Sequence, residues 1–485
     1  MSDTTNLKQK TFSGLFWQFS ERIVNQLISF SISVVLARKL MPEEFGLVAL
    51  AGMFTVLIGI FIDCGFGTAL VQKKDADDKD FSTIFWTQLV FSTFVYFIVF
   101  FTAPWFSQIF QESKLIPVLR VSALGMIIGA VGGMQNVQVT RQMAFKVYFY
   151  RTLIGNVISG IIGVILAYSG WGVWALVVQH LSSRVINIFT VYFQVRWLPN
   201  FCFSVERFKF LFAVGSKFML SSLIGTAFSQ LRGYLIGWKY QAADLGYYNR
   251  GEGIPALLVR NINSSINSVL FPAISKIQDD PKMVKRAIRR AIKTSTFVLF
   301  PMLLGLAAVS DHLVVVLYTE KWTPAIPFMQ VFCVYECFSL LNVANLQVLR
   351  GMGKVNTLLK LEFYKKPVMI AMLLIAVFIS PLAIAVGMMF YSFYTMIVNA
   401  FPNRKLINYS LWEQVKDVGE SLLLALGMAV VVYLIGRLHI NIYALLVFQI
   451  IVGAIIYFSL AHFFHVESFE YVKSNISKFL KKKSI

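Results

Sequence analysis

Residues 36–50 read LARKLMPEEFGLVAL, and residues 236–250 read IGWKYQAADLGYYNR. At an offset of 200, Lys39 matches Lys239, Glu44 matches Asp244, Phe45 matches Leu245 and Gly46 matches Gly246. Four similarities decide little by themselves. They decide the fold here because they fall directly after the first and the seventh of fourteen long apolar stretches. Those stretches run at about 12–37, 45–71, 81–103, 115–139, 147–168, 171–194, 208–238, 246–275, 290–310, 324–349, 357–380, 382–400, 416–436 and 441–464. Most reach the roughly 20 residues that a helix needs to cross a bilayer. Lipid offers no partner for a free N–H or C=O, so continuous apolar runs of this length must be helices. A β-barrel would instead alternate in segments of about ten residues.

Six stretches separate the two copies. Six is even, so both halves insert in the same orientation, related by an axis along the membrane normal. The expected fold is an all-α polytopic membrane protein of about 14 transmembrane helices. Residues 1–195 and 196–405 would form two six-helix bundles related by a pseudo-twofold along the membrane normal. Residues 406–485 would add two C-terminal helices and a basic cytoplasmic tail. Two matched bundles with a cleft between them suit a carrier that rocks between two open states.

Composition agrees with this class. Of 485 residues, 57% are hydrophobic and only 14% charged, against about a quarter charged in ordinary soluble domains. That excludes a soluble enzyme, a DNA-binding protein and a secreted disulfide scaffold. The net charge of +20 has a membrane explanation. Loops on one side, together with both ends, hold 29 Lys and Arg against 7 on the other, which places both termini in the cytoplasm. No nucleic acid is needed to account for the excess. Cys64, Cys202, Cys333 and Cys337 form no CxxC pair and read as small buried hydrophobes.

Eight basic residues fall five or more residues inside the proposed spans, those nearer an end being counted with the loops: Arg22, Arg120, Arg184, Lys217, Arg232, Arg260, Lys365 and Lys366. A charge at mid-membrane costs about 2.5 to 3.5 kcal/mol and usually faces a partner or a wet cavity. Glu21 with Arg22, and Glu362 with Lys365 or Lys366, are spaced to neutralise each other locally. Arg184 and Lys366 read as snorkelling residues near span ends. Arg120, Lys217, Arg232 and Arg260 remain as a basic set expected to line an anion-attracting cavity. Asp63, deep in the second stretch, is the acid best placed to bind a coupling proton or sodium, or else to pair with an arginine such as Arg22. Asn342, Asn345, Gln347 and other span polar residues would either hydrogen-bond a polar substrate or bind helices together.

Catalytic signatures are missing. Gly351-Met352-Gly353-Lys354-Val355 lacks the spacing and the Ser/Thr of a phosphate-binding loop, and the five histidines are scattered. The string KKDADDKD, residues 73–80, reads as a solvated, charge-balanced cytoplasmic turn between spans and not a metal–diphosphate clamp. No catalytic residue, metal site or cofactor is assigned, and the chain is read as not an enzyme.

Four strings carry a resemblance: LARKLMPEEFGLVALA, FIDCGFGTALVQKKDADDKDFSTIFW, YLIGWKYQAADLGYYNRGEGIP and SVLFPAISKIQDD. Together with the hydropathy over residues 10–405 they resemble the polysaccharide flippases of the multidrug/oligosaccharidyl-lipid/polysaccharide exporter superfamily, in the colanic acid and lipopolysaccharide exporter branch. The resemblance implies transport of an undecaprenyl-diphosphate-linked oligosaccharide across a bacterial inner membrane, for lipopolysaccharide, O-antigen or capsular and exopolysaccharide biosynthesis. The diphosphate gives the basic set its purpose, since guanidinium binds phosphate oxygens in pairs. Implied partners are this substrate, membrane lipid and other assembly proteins such as a polymerase or chain-length regulator. Many relatives carry an acid where this chain has Arg232, so no cation-coupling acid is carried over to that position. Two alternatives stay open at this point: a cation-coupled drug exporter of the same superfamily, and a membrane-bound polysaccharide polymerase.

Overall fold

The computed structural model describes residues 2–142, 144–470 and 473–474; the basic residues Lys478, Lys481, Lys482 and Lys483 lie outside the described residues. All regular structure among the described residues is helical. Every apolar stretch carries helix, and the second is broken in two.

The chain folds as two compact units, Met1–Gly246 and Tyr247–Ile485. The first holds α1 (Ser2–Lys39), α2 (Pro42–Asp63), α3 (Phe66–Gln72), α4 (Asp78–Phe110), α5 (Leu115–Arg141), α6 (Phe145–Tyr168), α7 (Val173–Val195) and α8 (Val205–Lys239), and it ends in the first turn of α9 (Ala242–Lys276). The second holds the rest of α9 with α10 (Pro281–Tyr318), α11 (Ile326–Gly351), α12 (Val355–Ala376), α13 (Pro381–Ile407), α14 (Leu411–Ile435) and α15 (Ile442–Phe463). A short tight turn, Glu320–Ala325, leads into α11. Ten of these helices are long and apolar enough to cross a membrane, which makes the chain a multi-pass membrane protein. The other long helices, α1, α7, α9 and α12, are richer in polar or charged residues.

The compact units divide at Gly246, whereas the sequence pattern leads one to expect a second half that starts at residue 196, before α8. The reason is close approach. An added Cβ on Gly215 of α8 would stand 2.5 Å from the Cys64 carbonyl oxygen, and one on Gly237 would stand 2.3 Å from Leu50. Glycines thus let α8 lie directly on α2, and α8 packs with α2, α3 and α4 in the first unit.

The two repeated strings fold alike. The Glu44 carboxylate accepts from the Met41 N–H at 2.7 Å, and the Asp244 carboxylate accepts from the Gln241 N–H at 3.2 Å. Each acid therefore ties off the start of its helix, one of the donors a helix leaves unpaired. The strings also meet: a Cβ on Gly46 would overlap the Ala242 carbonyl, and one on Gly246 would stand 2.3 Å from the Pro42 oxygen.

In the second unit, side-chain amides, most of them buried, join the helices. Asn345 donates to Gln414 at 2.9 Å and accepts from Asn403 at 2.7 Å; Asn399 donates to Asn342 at 2.9 Å. Gln347 bonds Asn267. These side chains bind helices together. Glu362 takes Lys365 at 2.5 Å and Lys366 at 3.7 Å, as the spacing predicts.

Candidate substrate cavity

Asp63 ends α2 because the backbone there leaves the helix. Cys64 and Gly65 both adopt the left-handed conformation, with φ of 47° and 68°, and α3 resumes at Phe66. A broken helix at membrane depth exposes backbone donors, which is tolerated where the break lines a cavity. The Asp63 carboxylate accepts from Gln88 Nε2 of α4 at 3.4 Å. The acid thus ties the end of α2 to α4 and faces the space beside the break.

That space is a cavity of about 440 Å³ inside the first unit, walled by α2, α3, α4, α5, α7 and α8. Its polar lining includes Thr55, Asp63, Thr68, Gln88, Arg184 and Ser222. Gly125, Gly129 and Gly133 recur every four residues along one face of α5 and make the room. Gly129 has nothing within 4 Å of where its Cβ would be, while Gly125 and Gly133 sit against Arg184 and Gln88. The Arg184 guanidinium crosses to α5, where Nη1 donates to the Gly125 carbonyl at 2.6 Å. One fixed cation, one carboxylate and several neutral donors thus share a pocket in an otherwise apolar bundle.

The expected site residues are distributed as follows. Asp63 lines this cavity. Arg120 lies near the start of α5; its Nε donates to the Phe100 carbonyl at 3.0 Å and its guanidinium stacks on the Phe100 ring at 4.0 Å. Lys217 is exposed on α8, directly before the cavity-lining Phe218 and Met219. Arg232 is half-buried further along α8 and engaged by neighbouring groups. Arg260 is exposed on α9 and belongs to the second unit. Arg184 is the residue that sequence reasoning misplaced. It sits at the midpoint of Val173–Val195, and its guanidinium turns inward to α5 and not toward a helix end. The four-residue glycine spacing on α5 was a signal that a long side chain crosses there.

The aspartate-rich string forms a braced corner. Asp80 is fully buried and takes Lys73 at 2.7 Å, with Arg207 of α8 at 3.2 Å. Asp77 caps α4 through the Asp80 N–H at 3.0 Å and is held by Arg207. Burial pushes the Asp77 carboxyl up, but the Asp80 N–H and the Arg207 guanidinium outweigh it and hold it below the usual carboxylate range. Segment 196–204 is pinned over this corner: the Asn200 N–H donates to Ser82 Oγ at 3.0 Å, and Trp86 Nε1 donates to the Asn200 carbonyl at 2.9 Å. Among the described residues, no group of three or more His, Cys, Asp or Glu is placed to hold a metal ion.

A multi-pass helical chain with a polar, charged cavity inside its first unit has the general build of a membrane transporter. The family described as "Polysaccharide biosynthesis protein" matches residues 35–327, and the chain belongs to that family. Teichuronic acid biosynthesis protein TuaB of Bacillus subtilis (strain 168) is 25% identical over 362 residues, covering 74% of each chain. Succinoglycan biosynthesis transport protein ExoT of Rhizobium meliloti (strain 1021) is 23% identical over 354 residues, covering 73% of this chain and 72% of that one. Among solved structures, the lipid II flippase MurJ in an inward closed conformation superposes with a TM-score of 0.75 at 14% identity, over 94% of this chain and 99% of MurJ. The last comparison establishes the fold.

Proposed function

We propose that this protein is a flippase for a lipid-linked oligosaccharide, delivering undecaprenyl-diphosphate-linked repeat units across a bacterial inner membrane. The observation that carries the reading is Arg184, held at mid-helix depth in a polar cavity, in a chain of the polysaccharide biosynthesis family. A diphosphate must cross a region where charge is expensive, and cations facing water lower that barrier. Arg120, Lys217, Arg232 and Arg260 extend the same role along the substrate's route, and Asp63 serves as the coupling acid. About fourteen spans, arranged as six, six and two, place both termini in the cytoplasm and let the halves alternate access. Membrane lipid carries the polyprenyl tail, and a polymerase and chain-length regulator use the product in lipopolysaccharide, O-antigen or exopolysaccharide assembly.

The test is deletion of the gene, followed by extraction and identification of lipid-linked glycans. Lipid-linked repeat units should build up on the cytoplasmic face while surface polysaccharide is lost. Wild-type protein should restore export, whereas Arg184→Ala, Arg232→Ala and Arg260→Ala should insert normally and fail to do so. Normal surface polysaccharide without any accumulated lipid-linked glycan would refute the reading.

A further inference from the structure

The first four turns of α10 border a second pocket, in the other unit. Val284, Ile288 and Ile292 are fully buried and fix one face of the helix against the core. Arg286, Arg289, Arg290 and Lys293 therefore share the opposite face, at positions i, i+3, i+4 and i+7. With Thr294, and with Glu467 and Ser468 beyond the end of α15, they line a cavity of about 320 Å³, near the lower limit for pockets that hold small ligands.

The cations are mounted on a rigid frame. Asp417 of α14 is buried and receives Arg289 through Nε at 2.8 Å and Nη2 at 2.7 Å, while the Tyr409 hydroxyl donates to it at 2.9 Å. Lys293 lies 3.6 Å from Asp417 and 2.6 Å from Glu467, and Ser468 Oγ donates to the Lys293 carbonyl at 3.3 Å. Among the described residues, four cations thus stand against two carboxylates, Asp417 and Glu467, and Arg286 and Arg290 lie on the outward face. Both are exposed.

Apolar side chains at the same helix ends say what surrounds the mouth. Phe463 and Phe464, just before Glu467, are 76% and 62% exposed, and Trp412, in the first turn of α14, is 67% exposed. Exposed aromatics at the ends of apolar spans mark the height of the membrane–water interface. A basic pocket at that height, between the ends of spanning helices, meets lipid headgroups before it meets anything dissolved.

We propose that this pocket binds the phosphate of an anionic membrane lipid, with Arg286 and Arg290 gripping its oxygens above a rigid floor of ion-paired Arg289 and Lys293. It is a separate site from the cavity of the first unit, and the inference does not depend on the substrate assigned there.

The experiment is native mass spectrometry on the purified full-length protein, titrated with dioleoylphosphatidylglycerol or dioleoylphosphatidylcholine. Wild type should retain phosphatidylglycerol in preference to phosphatidylcholine. The double variant Arg286→Gln/Arg290→Gln should bind phosphatidylglycerol at least about tenfold more weakly, since each lost charged hydrogen bond is worth an order of magnitude. Arg286→Lys/Arg290→Lys should keep part of the preference, and this guards against a folding defect in the glutamine variant. Equal retention of the two lipids by wild type would overturn the proposal, as would unchanged phosphatidylglycerol binding in the double variant. Displacement of the lipid by millimolar inorganic phosphate would mean a site for free phosphate, which also overturns it.

Discussion

Replacing Gly65 with alanine is expected to cost about 2 to 5 kcal/mol, and the figure follows from two separate penalties. Gly65 sits at φ +68°, where a residue with a Cβ loses about 1 to 2 kcal/mol. Its Cβ would also stand 2.2 Å from the Gly215 carbonyl oxygen and 2.9 Å from Phe218 Cβ. An ordinary carbon–oxygen contact is about 3.4 Å, so α8 would have to retreat by roughly 1.2 Å. The nearest obstacle is backbone, so no side-chain rotation relieves it, and overpacking of this kind costs about 1 to 3 kcal/mol. Gly59→Ala is the matched control. It lines the same cavity on α2 with nothing within 4 Å and should be neutral or gain up to about 1 kcal/mol of helix propensity. Thermal unfolding in detergent, read with a thiol-reactive dye, suits this chain because Cys64, Cys333 and Cys337 are buried. Gly65→Ala should melt clearly below wild type and Gly59→Ala should not. Melting of Gly65→Ala at the wild-type temperature would refute the idea that left-handed backbone and α8 contact jointly fix the break carrying Asp63.

Three further outcomes follow from the geometry. Gly46→Ala should reduce folded protein severely, since its Cβ would stand only 1.7 Å from the Ala242 oxygen, whereas Gly52→Ala on the same helix meets nothing within 4 Å; gel filtration of the two side by side measures this, at a cost of about 3 kcal/mol or more for the first. Asp80→Asn should destabilise by about 2 to 3 kcal/mol, because it leaves Lys73 and Arg207 without their buried carboxylate; a melting temperature within experimental error of wild type would count against the braced corner. Asp77, depressed in the folded state, contributes stability that is present above about pH 4 and lost as pH falls through its folded value. The stability gap between wild type and Asp77→Asn should therefore close on acidification toward pH 3, and a gap that widened there would contradict the assignment.

Hydropathy is a local property of a chain, so the sequence alone decided that this is a helical membrane protein and where its helices run, and it showed that residues 36–50 and 236–250 carry the same local signals. The capping acids Glu44 and Asp244 are legible for the same reason, since each bonds a backbone group three residues away. The pairing of Glu362 with Lys365 and Lys366 is local too. What needed the tertiary structure was everything set by helices far apart in the chain. That α8 lies on α2 depends on glycines at 65 and 215 meeting across 150 residues. That Arg184 enters the cavity and does not snorkel depends on the rotation of α7 against a glycine face of α5. A one-dimensional pattern records which residues are polar but not the angle at which a helix presents them, and that angle is fixed only when the neighbours pack.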